Sequence, residues 1–196
     1  MKRLFDIVTS FLGLVALSPL LLLTALAIVA ADGVPLLFRQ LRVGRHGRDF
    51  RLCKFRTMAV RKEAEMGSFD AGGAARVTPL GRFLRKTKLD ELPQLWNVLI
   101  GDMSLVGPRP EVRKWVDAYP ERWAAVLTVR PGITDNASIE FRNEEEILAR
   151  AADPEKAYRE DVLPRKLDLY EAYVQNHNLV GDLKILFRTL WTIVRR

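Results

Sequence analysis

From Leu4 to Ala31 the chain is apolar with one charged position, Asp6, whereas the rest mixes short apolar runs with frequent Arg and Lys. The apolar run is long enough to cover the roughly 30 Å hydrocarbon core of a bilayer. Ser18-Pro19 falls in its middle. Proline there removes a backbone hydrogen bond and clashes with the preceding turn, so a break is expected. The basic start, Lys2 and Arg3, also suits a secretory signal peptide, but the run is too long and no small-residue cleavage pattern closes it. Both flanks are basic: Lys2 and Arg3 before it, then Arg39, Arg42, Arg45, Arg48 and Arg51 after it. Positive charge marks the cytoplasmic side, so a straight span would strand one cluster outside. A helix over residues 1–31, broken at Ser18-Pro19 and leaving by the leaflet it entered, keeps both clusters inside. A kinked single-pass anchor is the alternative. The Ser18 hydroxyl can help satisfy the backbone groups that Pro19 frees.

Residues 32–196 read as one further domain. Two runs, Leu36–Val43 and Asp49–Thr57, flank Gly44-Arg45-His46-Gly47 and predict a β-hairpin. Residues 62–78 are charged, then small and glycine-rich, which predicts a loop with little to bury. From Thr87 the apolar positions Leu89, Leu92, Leu95, Trp96 and Leu99 recur at helical spacing and Gly101 closes the run. Pro93 sits in the first turn, where amides lack intrahelical partners. Further helices are predicted over 111–127 and from about Asn143, where Glu144, Glu145 and Glu146 complement the helix dipole. Leu179–Arg196 carries Trp191 with Lys184, Arg188, Arg195 and Arg196. That pattern suits an amphipathic helix, either in a membrane interface or packed into the protein's own core. The fold class is α+β, mostly helical with a small β-hairpin, plus a re-entrant N-terminal membrane helix and interfacial amphipathic helices.

The formal charge of +7 suits an anionic partner: nucleic acid, acidic lipid headgroups or a phosphorylated substrate. The single cysteine, Cys53, leaves no internal disulfide and fits a reducing compartment. There is no internal repeat, no glycine-rich phosphate loop and no Cys/His cluster; His46 and His177 stand alone.

Candidate chemistry concentrates in Arg85-Lys86-Thr87-Lys88-Leu89-Asp90-Glu91-Leu92-Pro93, where two carboxylates open a helix behind three cations. Free amides at a helix start attract anions, and the cations add to that. The same surroundings should lower the pKa of both carboxyls and keep them ionised. An ionised aspartate can attack phosphorus or hold a divalent cation. Alone, such a pair is ordinary capping. Two further segments add weight. Gly101-Asp102-Met103-Ser104-Leu105-Val106-Gly107-Pro108-Arg109-Pro110 holds one arginine between prolines, which fixes the guanidinium for bidentate phosphate recognition. Arg130-Pro131-Gly132-Ile133-Thr134 is a second stiff turn, and Lys54 and Arg56 bring cations from the second hairpin strand. A non-enzymatic membrane protein with a basic face for lipid or nucleic acid would explain the charge. It would not explain carboxylates among arginines, which weaken polyanion binding.

In this order the segments resemble the bacterial sugar transferase family, the small monotopic phosphoglycosyl transferases. The resemblance rests on Lys2-Arg3-Leu4-Phe5-Asp6, the Ser18-Pro19 break, Lys54-Phe55-Arg56-Thr57-Met58, Leu89-Asp90-Glu91-Leu92, Gly101-Asp102-Met103-Ser104, Val106-Gly107-Pro108-Arg109-Pro110 and Arg130-Pro131-Gly132-Ile133-Thr134. It covers nearly the whole chain. It implies Mg2+-dependent transfer of a sugar 1-phosphate from a UDP-sugar to a polyprenyl phosphate such as undecaprenyl phosphate, with release of UMP. That is the first membrane step of bacterial glycan assembly.

Asp90 matches the family's nucleophile, which forms a covalent phosphosugar-aspartyl intermediate. Glu91 matches its partner in metal binding or lipid-phosphate activation, so both carboxylates are candidate Mg2+ ligands. Lys54, Arg56, Arg85, Arg109 and Arg142 are candidate contacts to phosphate and nucleotide. The resemblance also implies a re-entrant segment over 1–31, a catalytic domain over 32–196 at the cytoplasmic face of the inner membrane, and no nucleic-acid partner. A homodimer is left open. After Gly-Ile-Thr many members continue Gly-Trp-Ala-Gln, whereas this chain reads Asp135-Asn136-Ala137-Ser138. The sugar is therefore not inferred, and the match at Arg142 rests on less than that at Arg109.

Overall fold

The structure, a computed structural model, describes residues 1–59 and 76–195. The predicted 62–78 loop lies outside the described residues except for its last three positions. Helices α1 (Lys2–Ala16) and α2 (Ser18–Asp32) meet at Leu17 with a bend of 60°. Pro19 lies in the first turn of α2, and the Ser18 hydroxyl donates to the Val15 carbonyl at 2.7 Å. The break thus falls where proline withdraws its amide. Among the described residues no single helix is long and apolar enough to cross a membrane, but the bent pair together has the length and composition. Phe11, Leu12, Leu22, Leu23 and Leu26 all point outward and are exposed.

The inner side of α1 is polar and tied down. Asp6 is buried and accepts from the Ser104 hydroxyl (2.9 Å) and the Leu105 amide (3.2 Å). Lys2 donates to the Val106 carbonyl (3.0 Å) and pairs with the buried Asp182. Arg3 donates to the Val98 and Leu99 carbonyls at 2.6 and 3.0 Å.

The predicted hairpin is present. Strands β1 (Leu37–Val43) and β2 (Asp49–Phe55) pair antiparallel from Leu37↔Phe55 to Val43↔Asp49, reversing through a short 3-10 turn at Arg45–Gly47. Next come α3 (Pro79–Thr87), a 3-10 turn at Leu89–Glu91, and α4 (Gln94–Ile100), which Gly101 ends at φ 102°. The helix predicted from Thr87 is therefore two pieces. Strands β3 (Ser104–Val106) and β4 (Gly132–Thr134) form a short parallel pair that periodicity did not reveal.

Between β3 and β4, the helix predicted over 111–127 is divided into α5 (Arg113–Val116) and α6 (Pro120–Val126). Tyr119, held out of the helical region by the proline after it, makes the division (φ −140°, ψ 62°). Beyond β4 lie α7 (Asn136–Glu140), α8 (Glu144–Ala149), α9 (Pro154–Ala157), a π-helical stretch over Tyr158–Val162, α10 (Leu163–Asn176) and α11 (Leu179–Val194).

One apolar cluster gathers Trp115, Trp123, Tyr158, Leu163 and Leu167; a second joins Leu52, Val98, Met103, Val106 and Ile185 under the hairpin. A third, Ile28, Phe55 and Leu84, attaches α2 to the hairpin and α3. Helix α11 has two unlike sides. Asp182 and Ile185 face inward, while Leu183, Phe187, Leu190 and Trp191 remain exposed.

Candidate active site

Asp90 and Glu91 stand on the 3-10 turn between α3 and α4, and both are buried, at 6% and 9% exposure. The turn exists because α3 ends at Lys88, which adopts the left-handed region (φ 60°, ψ 15°). That conformation costs a non-glycine residue about 1–2 kcal/mol. It redirects the chain so that Glu91 meets the hairpin. Glu91 Oε1 accepts from Lys54 Nζ of β2 at 2.9 Å and from Arg109 Nη2 at 2.7 Å. Asp90 differs: its Oδ1 is buried with no hydrogen-bond partner among the described residues.

Arg109 is held by the parallel strands. Gly107 N donates to the Thr134 carbonyl (3.1 Å), and Gly132 N donates to the Pro108 carbonyl (2.9 Å). A Cβ on Gly132 would lie 2.1 Å from Gly107 N, so this crossing requires glycine. On the far side Arg42 donates to the Pro110 carbonyl at 3.0 Å and pairs with Glu111 at 3.2 Å. The arginine between two prolines is thus fixed by backbone contacts before and after it.

The expectation that both carboxyls have lowered pKa needs correction. Burial pushes Asp90 up, and Lys54, Lys88 and Arg85 offset this only in part. Burial also opposes ionisation of Glu91, but Arg109, Lys54 and Lys88 outweigh it and hold Glu91 well below the usual carboxylate range. Lys54, half-buried beside them, is pushed down to about 8 by desolvation. Two adjacent carboxylates therefore have opposite tendencies. Glu91 is a fixed anion locked to two cations, and Asp90 is a desolvated carboxyl with a free oxygen.

Of the other sequence candidates, Arg85 on α3 donates from Nε to Thr57 Oγ1 at 3.0 Å and acts on Asp90 through its charge. Arg56 is buried and donates to the carbonyls of Asp32, Gly33 and Val34 at 2.6–3.0 Å, gripping the end of α2. Arg142 is exposed on the turn between α7 and α8. Residues the sequence reading missed include Asp135. It is buried, caps α7 by accepting from the amide and hydroxyl of Ser138, and adds charge near Arg109. The Asp-x-x-Ser spacing at 135–138 was the available signal. Gln94, four residues beyond Asp90, is also buried and leaves Nε2 without a partner among the described residues.

Among the described residues no group of three or more His, Cys, Asp or Glu side chains is placed to hold a metal ion. Mg2+ does not need such a cage, because it is commonly held by one or two carboxylates together with substrate phosphates. The free Asp90 Oδ1 fits that pattern. Glu91, with Oε1 taken by both cations, has only Oε2 to offer.

A family model described as bacterial sugar transferase matches residues 1–196. The chain belongs to the bacterial sugar transferase family. It is 38% identical over 196 residues to a UDP-N-acetylgalactosamine-undecaprenyl-phosphate N-acetylgalactosaminephosphotransferase of Aeromonas hydrophila, which covers 98% of this chain and 43% of that protein. It is 38% identical over 194 residues to a UDP-glucose:undecaprenyl-phosphate glucose-1-phosphate transferase of Klebsiella pneumoniae, covering 97% of this chain and 39% of that one. An uncharacterized sugar transferase of Bacillus subtilis is 39% identical over 190 residues, 97% of this chain and 85% of the relative. The chain thus spans about two fifths of the Aeromonas and Klebsiella proteins and most of the Bacillus one.

Proposed function

We propose that this chain moves a sugar 1-phosphate from a UDP-sugar to a polyprenyl phosphate, such as undecaprenyl phosphate, through a covalent intermediate on Asp90. The observation that carries the reading is the unpartnered, buried Asp90 Oδ1 beside a Glu91 whose Oε1 is held by both Lys54 and Arg109. Buried acceptors without partners are rare, and one at a cationic centre is placed for a reactive role.

In the first step Asp90 Oδ1 attacks the sugar-bearing phosphorus. The new O–P bond forms as the bond to the bridging oxygen breaks, and UMP departs with that electron pair. Arg109 and Lys54 face the charge that builds on the phosphoryl oxygens. In the second step a phosphate oxygen of the lipid attacks the same phosphorus, and Asp90 leaves as a carboxylate. Mg2+ held at Asp90 and the diphosphate would supply charge neutralisation. Glu91 acts through its neighbours: it fixes Lys54 and Arg109 and is not itself free to take a proton.

The lipid acceptor calls for a membrane, and the helix pair supports shallow insertion. Lys2, Arg3 and Asp6 tie the start of α1 to the globular body, and Arg56 ties the end of α2 to the same body. A spanning segment would part those ends by roughly 30 Å. We read residues 1–31 as re-entrant, with the exposed apolar side of α11 in the interface and the site on the cytoplasmic face of the inner membrane. The sugar is not assigned.

Protein stripped of polyprenyl phosphate should release a stoichiometric burst of UMP when given a UDP-sugar and Mg2+, and hold a labelled sugar phosphate. Absence of the burst across a panel of UDP-sugars, or full activity in Asp90→Asn, would sink the covalent route.

A further inference from the structure

Residues paired in register share a face of the hairpin, so Arg39, Arg51 and Cys53 lie on one side and Lys54 on the other. Lys54 faces Glu91. The opposite side borders a cleft of about 730 Å3 between the hairpin, the bent helix pair and α4. That volume lies within the roughly 300–1,000 Å3 of ordinary ligand sites. Its apolar walls include Leu14 of α1, Leu21, Leu22 and Ala25 of α2, and Trp96 and Ile100 of α4.

The polar part of the lining is mainly cationic. Arg39 pairs with Cys53 and Leu41 with Arg51, which makes the two arginines diagonal neighbours on one face. Both are exposed, and neither side chain has a hydrogen bond or ion pair among the described residues. The one acidic residue among the described residues lining the cleft, Asp102, accepts from Asn97 Nδ2 at 3.2 Å. Two like charges therefore stand side by side on the wall of a largely apolar cleft whose lining holds a single carboxylate among the described residues.

We propose that this cleft is a second lipid site that holds one anionic glycerophospholipid. An acyl chain lies against Leu14, Leu21, Leu22 and Ala25, and the headgroup phosphate sits between Arg39 and Arg51. Charge complementarity selects an anionic lipid, because a zwitterionic headgroup brings its own cation to a cleft whose lining already has two. The cleft is not the acceptor's reaction site, since the hairpin separates it from Lys54 and Glu91. The inference rests on the membrane insertion of α1 and α2 proposed above.

Cys53, the chain's single cysteine, lines the cleft and reports its occupancy. The full chain in nanodiscs of phosphatidylcholine, with or without phosphatidylglycerol, is treated with N-ethylmaleimide, and retained lipid is weighed by native mass spectrometry. Phosphatidylglycerol should slow Cys53 modification and be the lipid retained. In Arg39→Ala/Arg51→Ala its retention should weaken about thirty-fold, while the UMP burst persists and the lysine double variant recovers binding. Equal modification rates in the two nanodiscs, or equal retention by the alanine variant, overturns the proposal. So does undecaprenyl phosphate protecting Cys53 better than phosphatidylglycerol at equal amounts, which would give the cleft to the acceptor. Wild-type protein that enters nanodiscs but shows no phosphatidylglycerol effect overturns this inference alone; protein that does not enter them overturns the insertion reading as well.

Discussion

Lys54 shows how one residue sets the working range of the site. Desolvation pushes its pKa down to about 8, yet its role beside Glu91 requires the charged form. As pH rises through about 8 the ammonium is lost, and of the two cations bonded to Glu91 Oε1 Arg109 remains. The profile of kcat/KM, which reports the free protein, should therefore fall on its basic side near pH 8. Lys54→Arg keeps its charge and should move that fall to much higher pH; an unmoved basic limb would assign it to another group. On the acid side Asp90 must be ionised to attack. Burial raises its pKa, so activity should be lost at a pH above the ordinary aspartate value. The Glu91 carboxyl, held far lower, stays charged throughout that range.

At the scale of elements, α1 is attached to the core through polar groups at its buried edge. Asp6 satisfies two donors, the Ser104 hydroxyl and the Leu105 amide, across a separation of about a hundred residues. Asp6→Ala strands both. Each buried unsatisfied donor costs roughly 1–3 kcal/mol. Thermal unfolding in detergent should show a drop of that order, with β3 loosened from α1. A loss within error of zero would mean that water enters and satisfies both groups. Arg56 performs the matching task at the other end, and its burial against three carbonyls explains a basic residue at the foot of a strand. Its position two residues after Lys54 suggested a shared face and a phosphate contact, but β2 ends at Phe55, so Arg56 lies beyond the strand and its guanidinium meets the end of α2.

Taken as a whole, the molecule is a helical body with an apolar elbow and an exposed apolar stripe on α11 that includes Phe187, Leu190 and Trp191. If the elbow is re-entrant, both its ends share one side of the membrane. In a Cys53→Ser background, a cysteine placed ahead of Met1 and one at the exposed Val34 should both resist an impermeant thiol reagent in intact spheroplasts and react in inverted vesicles. Labelling of just one of them from outside would instead describe a spanning helix.

The sequence by itself determined the local features. The helix break at Ser18-Pro19, the reversal at Gly44–Gly47 and the end of α4 at Gly101 follow from proline's missing amide and glycine's conformational freedom, which act within a turn. The Asp90-Glu91 pair and the Arg109 loop were legible as motifs for the same reason: their residues are contiguous. Only the tertiary structure decided what distinguishes the two carboxylates. Lys54 and Arg109 reach Glu91 from 37 and 18 positions away, and no periodicity encodes which of two adjacent side chains they meet. The parallel pairing of β3 with β4, the clamping of Lys2, Arg3 and Asp6 and the two-sided use of the hairpin likewise depend on packing between distant segments. Local geometry comes from the order of residues. The chemistry of Asp90 comes from what the fold leaves beside it and from the partner it withholds.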